Sequence, residues 1–186
     1  PGRFVSCRAM AKRKPRNEQR KTNGERLKQA TKYHRARIRK FLFTHGPNRI
    51  TGGRLKKRHL AANVAVESPE ILSTRWPAAF DALRIAHVSD FHLGDLMPLE
   101  RALEVVEQIA ALEPDLVACT GDVVDLHHAG SRPLLEALAQ INAPLGSFLV
   151  LGNHDELDDG EALAESAADA GLIVLRNEAV SIAHNG

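Results

Sequence analysis

The sequence predicts an α/β fold in which parallel strands alternate with helices, and two observations carry that reading. Four short, mostly apolar runs, 83–88, 115–119, 147–151 and 172–175, have the length of buried strands, and the first three lead into Asp90, Gly121-Asp122 and Gly152-Asn153. Nearly continuous apolar runs ending in Gly or Asp are typical of central parallel strands. Between successive runs the apolar residues recur at helical spacing. The resulting βαβαβαβ order implies right-handed crossovers and helices packed on a parallel sheet.

Taken in chain order, residues 11–21 are polar and charge-dense, contain Pro15, and predict disorder. From Asn23, a candidate cap, to about Thr44 the pattern is helical. Leu27, Thr31, His34, Ile38, Phe41 and Leu42 fall on one stripe, flanked by Lys28, Lys32, Arg35, Arg37, Arg39 and Lys40. Gly46 to Gly53 holds Gly and Pro and is expected to end that helix as a linker. His87 lies inside the first strand and is expected to be a packed core histidine. Leu99, Ala102, Leu103, Val106, Ile109 and Ala110 mark the next helix, which Pro114 stops. Cys119, in the second strand, is expected to be a small core residue. Ser131 is expected to cap a helix carrying Leu134, Leu135, Leu138 and Ile141, with Pro133 in its first turn, where a missing N–H costs little. Asp158 or Asp159 caps the last helix, through Ala162, Leu163 and Ala167, and Gly171 closes it.

Charge divides the chain. Residues 1–60 hold 20 of the 25 Lys and Arg beside only Glu18 and Glu25, while the remainder carries 5 basic against 21 acidic residues. The net charge of +2 conceals this split. The division predicts a basic, partly disordered arm over 1–60, a linker over 61–82 and an acidic α/β domain over 83–186. Two cysteines exclude a disulfide framework and suit a reducing compartment. No apolar run approaches the ~20 residues of a membrane span, and residues 1–10 are too short and polar for a secretory signal. Met10, followed by Ala11 and a basic stretch, is a candidate initiator.

The strand ends carry the chemistry. Asp90-Phe91-His92, Gly121-Asp122-Val123-Val124-Asp125 and Gly152-Asn153-His154-Asp155 come together on one rim of the predicted sheet, where open α/β folds bind ligands and metals. Oxygen and imidazole donors without thiolate suit a pair of divalent ions such as Mn, Fe or Zn, and metal-assisted hydrolysis is the reaction this suggests. His127 and His128 follow the second segment in a loop and read as solvated or substrate-edge residues. Taken singly, each segment has a plainer reading: Asp90 as a helix cap, the Gly-Asp and Gly-Asn pairs as turn chemistry.

In this order and spacing, Asp-x-His, Gly-Asp-x-x-Asp and Gly-Asn-His-Asp resemble the first three motifs of the calcineurin-like metallophosphoesterases, from about Leu83 to about Ile182. The resemblance implies a layered α/β/β/α sandwich of which only the first βαβαβαβ half is present. It further implies that Asp90 and His92 hold a first metal ion, that Asp122 bridges two, that Asn153 holds the second, and that His154 stands beside the scissile phosphate. Asp155 or Asp125 would orient the His154 imidazole. The family's later motifs, a lone His and a Gly-His-x-His, do not occur before Gly186, and His184 precedes an Asn-Gly hairpin signal, so a truncated sequence is expected.

The reading is therefore a metal-dependent hydrolase of phosphodiester, phosphomonoester or pyrophosphate bonds. Its substrate would be a phosphorylated small molecule or a membrane-lipid precursor such as UDP-diacylglucosamine. The alternatives are a nucleotide or nucleic-acid phosphodiesterase, or a non-catalytic scaffold that keeps the fold. The basic amphipathic arm suits an anionic membrane surface, the chain's own acidic body or, less well, nucleic acid. A cytoplasmic location follows, peripheral to the membrane if the arm binds it.

Overall fold

The computed structural model describes residues 22–75 and 77–182. The expected disorder of 11–21, Cys7, the Met10 start and the hairpin at His184 lie outside these residues. Strands β1 (Ile85–Val88), β2 (Leu116–Cys119), β3 (Ser147–Leu149) and β4 (Ile173–Val174) form one sheet in the order β1-β2-β3-β4, every pair parallel. Helices α4 (Leu99–Ala111), α5 (Arg132–Ala139) and α6 (Gly160–Ala170) make the three crossovers. Each joins adjacent strands, so all three pack on the same face.

That face holds the main core. Val117, Cys119 and Leu149 point into it from the strands and meet Ala102, Val106 and Ile109 of α4, Leu134, Leu135 and Leu138 of α5, and Leu163 and Ala167 of α6. The opposite face carries a smaller cluster around Leu116, Leu145 and Phe148. Here β1 is an edge strand whose outward residues Ile85 and His87 are exposed. The expectation of a core histidine at His87 is thereby corrected. At the exposed edge its imidazole instead pairs with Thr120 Oγ1 at 2.8 Å.

The caps explain the helix ends. Asp159, not Asp158, accepts from the Ala162 N–H at 3.1 Å, and Gly171 at φ 107° ends α6 with Leu172 N–H bonded back to Ala167. Ser131 precedes α5 but does not cap it through its side chain: its Oγ donates to the His128 carbonyl at 2.7 Å.

The arm is helical where a linker was expected. Helix α1 (Asn23–Lys40) passes through a π-helical turn (Phe41–His45) into α2 (Gly46–Ile50), and α3 (Arg54–Leu60) follows. The Gly46 N–H reaches back five residues to the Phe41 carbonyl. That wider turn comes just before Pro47, which has no N–H to give a regular ladder, so the chain stays helical across the pair. The true break is at Gly52 and Gly53, both at positive φ. Arg101 of α4 donates to the carbonyls of Leu60 and Ala62, tying the end of α3 to the body.

Candidate metal centre

The three sequence segments meet at the C-terminal ends of β1, β2 and β3, and backbone bonds hold them there. Beyond the strands the ladder continues from Asp90 N–H to Gly121 O, from His92 N–H to Asp122 O and from Leu93 N–H to Val123 O, at 2.9–3.0 Å. The loops then approach closely. A Cβ on Gly121 would lie 2.3 Å from the Gly152 nitrogen, and one on Gly152 would lie 2.1 Å from Asp122 Oδ1. Both positions therefore require glycine. Asp90, His92 and Asp122 all hold left-handed φ values, 57°, 46° and 50°. Such conformations carry strain in non-glycine residues and cluster at functional sites.

Asp90, His92 and Asp122 place one ligand atom each within 4.8 Å of one another, as a metal ion would need. His92 Nε2 lies 3.4 Å from Asp90 Oδ1 and 3.7 Å from Asp122 Oδ2. Ser89 Oγ donates to Asp90 Oδ2 at 2.6 Å, and this bond, with the charge of His92, holds the exposed Asp90 carboxyl below its ordinary range. A second group, His92, Asp125 and His154, meets the same distance criterion and shares His92 with the first. The donor set, carboxylate and imidazole converging from separate loops, fits a divalent ion. Asn153 is exposed on the same rim.

His154 packs edge-on against His92, ring centroids 4.5 Å apart, and its backbone N–H donates to Asp122 Oδ1 at 2.8 Å. Its Nδ1 lies 2.7 Å from the carbonyl oxygen of Asp125, with Asp125 Oδ1 at 3.6 Å. A carbonyl can only accept, so Nδ1 carries the proton and Nε2 is the atom free to act. Asp155 turns away. Fully buried, its carboxylate accepts from Val124 N–H at 3.0 Å and Gly152 N–H at 2.9 Å, which pins the second and third loops together. Burial raises its carboxyl above the ordinary range, against the pull of those two N–H groups. Of the two candidates for orienting the imidazole, the geometry therefore favours Asp125, through its main chain.

The basic arm supplies what the sequence reading missed. Lys40 Nζ stands 2.7 Å from Asp125 Oδ2 and 3.1 Å from Asp95 Oδ2. Partial burial would lower the pKa of the Lys40 ammonium, but the hydrogen bonds it donates to Asp125 and Asp95 outweigh that and raise it. Tyr33 Oη pairs with His127 Nε2 at 2.8 Å, and Gln29 Nε2 donates to the carbonyls of Glu156 and Asp158. His128 Nδ1 is held by Asp158 Oδ2 at 2.8 Å. Spacings of four and seven put Gln29, Tyr33 and Lys40 on one face of α1, about half a turn from Leu27 and Ile38. The helix is thus docked on the body by polar side chains, while Leu27, Ile38, Phe41 and Leu42 remain 57–71% exposed. The 29-33-40 spacing was readable; its partners, 55 or more residues away in sequence, were not.

A family model described as calcineurin-like phosphoesterase matches residues 83–183. The chain belongs to the calcineurin-like phosphoesterases. It is 37% identical over 134 residues to the uncharacterized metallophosphoesterase YkuE of Bacillus subtilis, across 68% of this chain and 46% of that protein. An uncharacterized metallophosphoesterase of Aquifex aeolicus is 40% identical over 101 residues, covering 54% and 38%. The UDP-2,3-diacylglucosamine pyrophosphatase LpxG of Chlamydia muridarum is 36% identical over 88 residues, covering 45% and 27%. The chain thus spans less than half the length of these relatives. No solved structure matches it significantly. In this calcineurin-like phosphoesterase chain, no helix among the described residues is long and apolar enough to cross a membrane.

Proposed function

We propose that the full-length protein hydrolyses a phosphoester or phosphoanhydride bond with two divalent ions, and that its substrate is lipid-linked, of the UDP-diacylglucosamine class. The observation that carries the hydrolase reading is the ligand group of Asp90, His92 and Asp122, with His154 edge-on against that same His92 imidazole. Asp90, His92 and Asp122 would hold one ion, and Asp122 with Asn153 would hold the other. Bound there, divalent ions supply hydroxide near neutral pH and offset charge on the phosphoryl oxygens.

The chain's own residues do the rest. The Asp125 carbonyl fixes the tautomer of His154 by accepting a hydrogen bond from its Nδ1–H. When the ring is protonated at Nε2 as well, that N–H gives its proton to the leaving oxygen or donates a hydrogen bond to the charge that builds there, an effect worth about 10²–10⁴ in rate. Asp155, bonded to Val124 and Gly152, keeps the loops in register.

Two findings support a lipid-linked substrate at a membrane surface: the likeness to LpxG, and an apolar stripe on α1 that faces solvent between basic residues while the opposite face of the helix touches the site. Amphipathic basic helices of this kind lie in the interface of anionic membranes. We therefore place the protein peripherally at the cytoplasmic face. Assaying the full-length protein with Mn²⁺ on UDP-2,3-diacylglucosamine in mixed micelles, on bis-p-nitrophenyl phosphate and on RNA tests this. A higher kcat/KM on the lipid supports the proposal. Preference for RNA makes it a nucleic-acid phosphodiesterase, and turnover of none makes it a scaffold.

A further inference from the structure

We propose that Lys40, contributed by the arm, is a positioning residue for His154 and acts through Asp125. The inference rests on the reading of His154 as the group that serves the leaving oxygen, and it assigns the arm a part in the chemistry itself.

Asp125 is held at three points. Its N–H donates to the Leu93 carbonyl at 3.3 Å, its own carbonyl accepts from His154 Nδ1 at 2.7 Å, and its Oδ2 accepts from Lys40 at 2.7 Å. The other carboxylate oxygen stands only 3.6 Å from that same imidazole nitrogen. A freed carboxylate could rotate onto Nδ1 or onto a cation at His92, and either move would disturb the imidazole. The Lys40 ammonium, with a side chain only 18% exposed, holds it off both.

The contact is built rather than incidental. Lys40 is the last residue of α1 and also bonds Asp95, so one cation spans two loops of the rim. Gln29 and Tyr33, on the same face, fix the helix to the loops at 156–158 and 127. A metal ion at His92, Asp125 and His154 would have to share Asp125 with this ammonium, which favours a supporting role for Asp125 over a ligand role.

The test compares full-length wild type, Lys40→Met, Lys40→Arg, His154→Ala and the Lys40→Met/His154→Ala double variant, on bis-p-nitrophenyl phosphate and on a diester with an alkyl leaving group. Lys40→Met should lower kcat about tenfold, a fraction of what a general acid supplies, with KM nearly unchanged and a larger loss on the alkyl diester. Lys40→Arg should restore most of it, and Lys40→Met should cost nothing further once His154 is gone. Additive losses, a change in KM alone, or no change would overturn the proposal. Imidazole ¹⁵N spectra of the zinc-loaded protein give a readout without turnover. The His154 Nδ1–H signal should move in Lys40→Met and return in Lys40→Arg. If the wild type hydrolyses nothing, the proposed function fails while the spectra still decide the Lys40 link; an unmoved signal overturns it.

Discussion

The Nδ1 of His154 donates to the main-chain carbonyl of Asp125, not to a carboxylate, at 2.7 Å. That oxygen can only accept, so it fixes the tautomer and the plane of the ring. His154 is thus oriented firmly.

From this, His154→Ala should lower kcat on an unactivated diester by about 10²–10⁴ while metal content stays near wild type. On p-nitrophenyl substrates the loss should shrink, because that leaving group needs little help. Steady-state kinetics with elemental analysis check it. Equal losses on both substrates would make His154 an electrostatic or structural residue instead.

The close approach of the second and third loops makes a second prediction. Gly152→Ala puts a methyl 2.1 Å from Asp122 Oδ1 and 2.4 Å from Asp122 N, where backbone cannot yield cheaply. Overpacking of this kind costs about 1–3 kcal/mol, and here it also displaces a candidate bridging ligand. Urea denaturation with Mn²⁺ titration should show both a lower midpoint and weaker binding. An unchanged metal affinity would mean that the loops are not in the described register.

Much of this was legible beforehand, for identifiable reasons. Buried parallel strands write themselves as apolar runs, and Gly121, Asp122, Gly152 and Asn153 mark where those runs leave the sheet. Exposed His87 was misread because a strand's place at the sheet edge is a long-range property that its own residues do not encode. Gly46-Pro47 suggested a linker because residue type does not report a π turn that absorbs the missing N–H. Nor could residue type choose between Asp125 and Asp155, since the decisive partner of His154 is a main-chain oxygen. Lys40 was visible only as one more cation of the arm.

Cys119 gives a prediction with a defined pH window. Burial pushes its thiol from 9.0 up to about 11. The unfolded chain therefore ionises first, so the neutral buried thiol's advantage is complete below pH 9 and falls away between about 9 and 11. The cost approaches about 2 kcal/mol at the upper end. Urea denaturation at pH 8 and 10.5 should show wild type losing more stability than Cys119→Ala across that interval. Parallel losses would contradict the burial of the thiol.

The arm should hold the full-length protein to phosphatidylglycerol vesicles in low salt. Each basic residue at the surface contributes only about 1 kcal/mol and is screened, so the binding that persists at high salt should come from Ile38, Phe41 and Leu42. Sedimentation of Phe41→Ser against wild type at two salt concentrations separates the contributions. Failure to bind anionic vesicles at all, with RNA bound instead, would transfer the arm to the nucleic-acid reading.

The central claim is a two-ion centre bridged by Asp122. Asn tolerates left-handed backbone as Asp does, so Asp122→Asn removes the charge while keeping the turn at φ 50°. The decisive measurement is metal stoichiometry by elemental analysis of full-length wild type and Asp122→Asn after equilibration with Mn²⁺, each paired with its turnover of bis-p-nitrophenyl phosphate. Two ions per chain in the wild type, fewer in the variant, and a turnover lower by orders of magnitude are predicted. Wild-type turnover that survives excess chelator, or an Asp122→Asn protein with two ions and normal activity, would contradict the account.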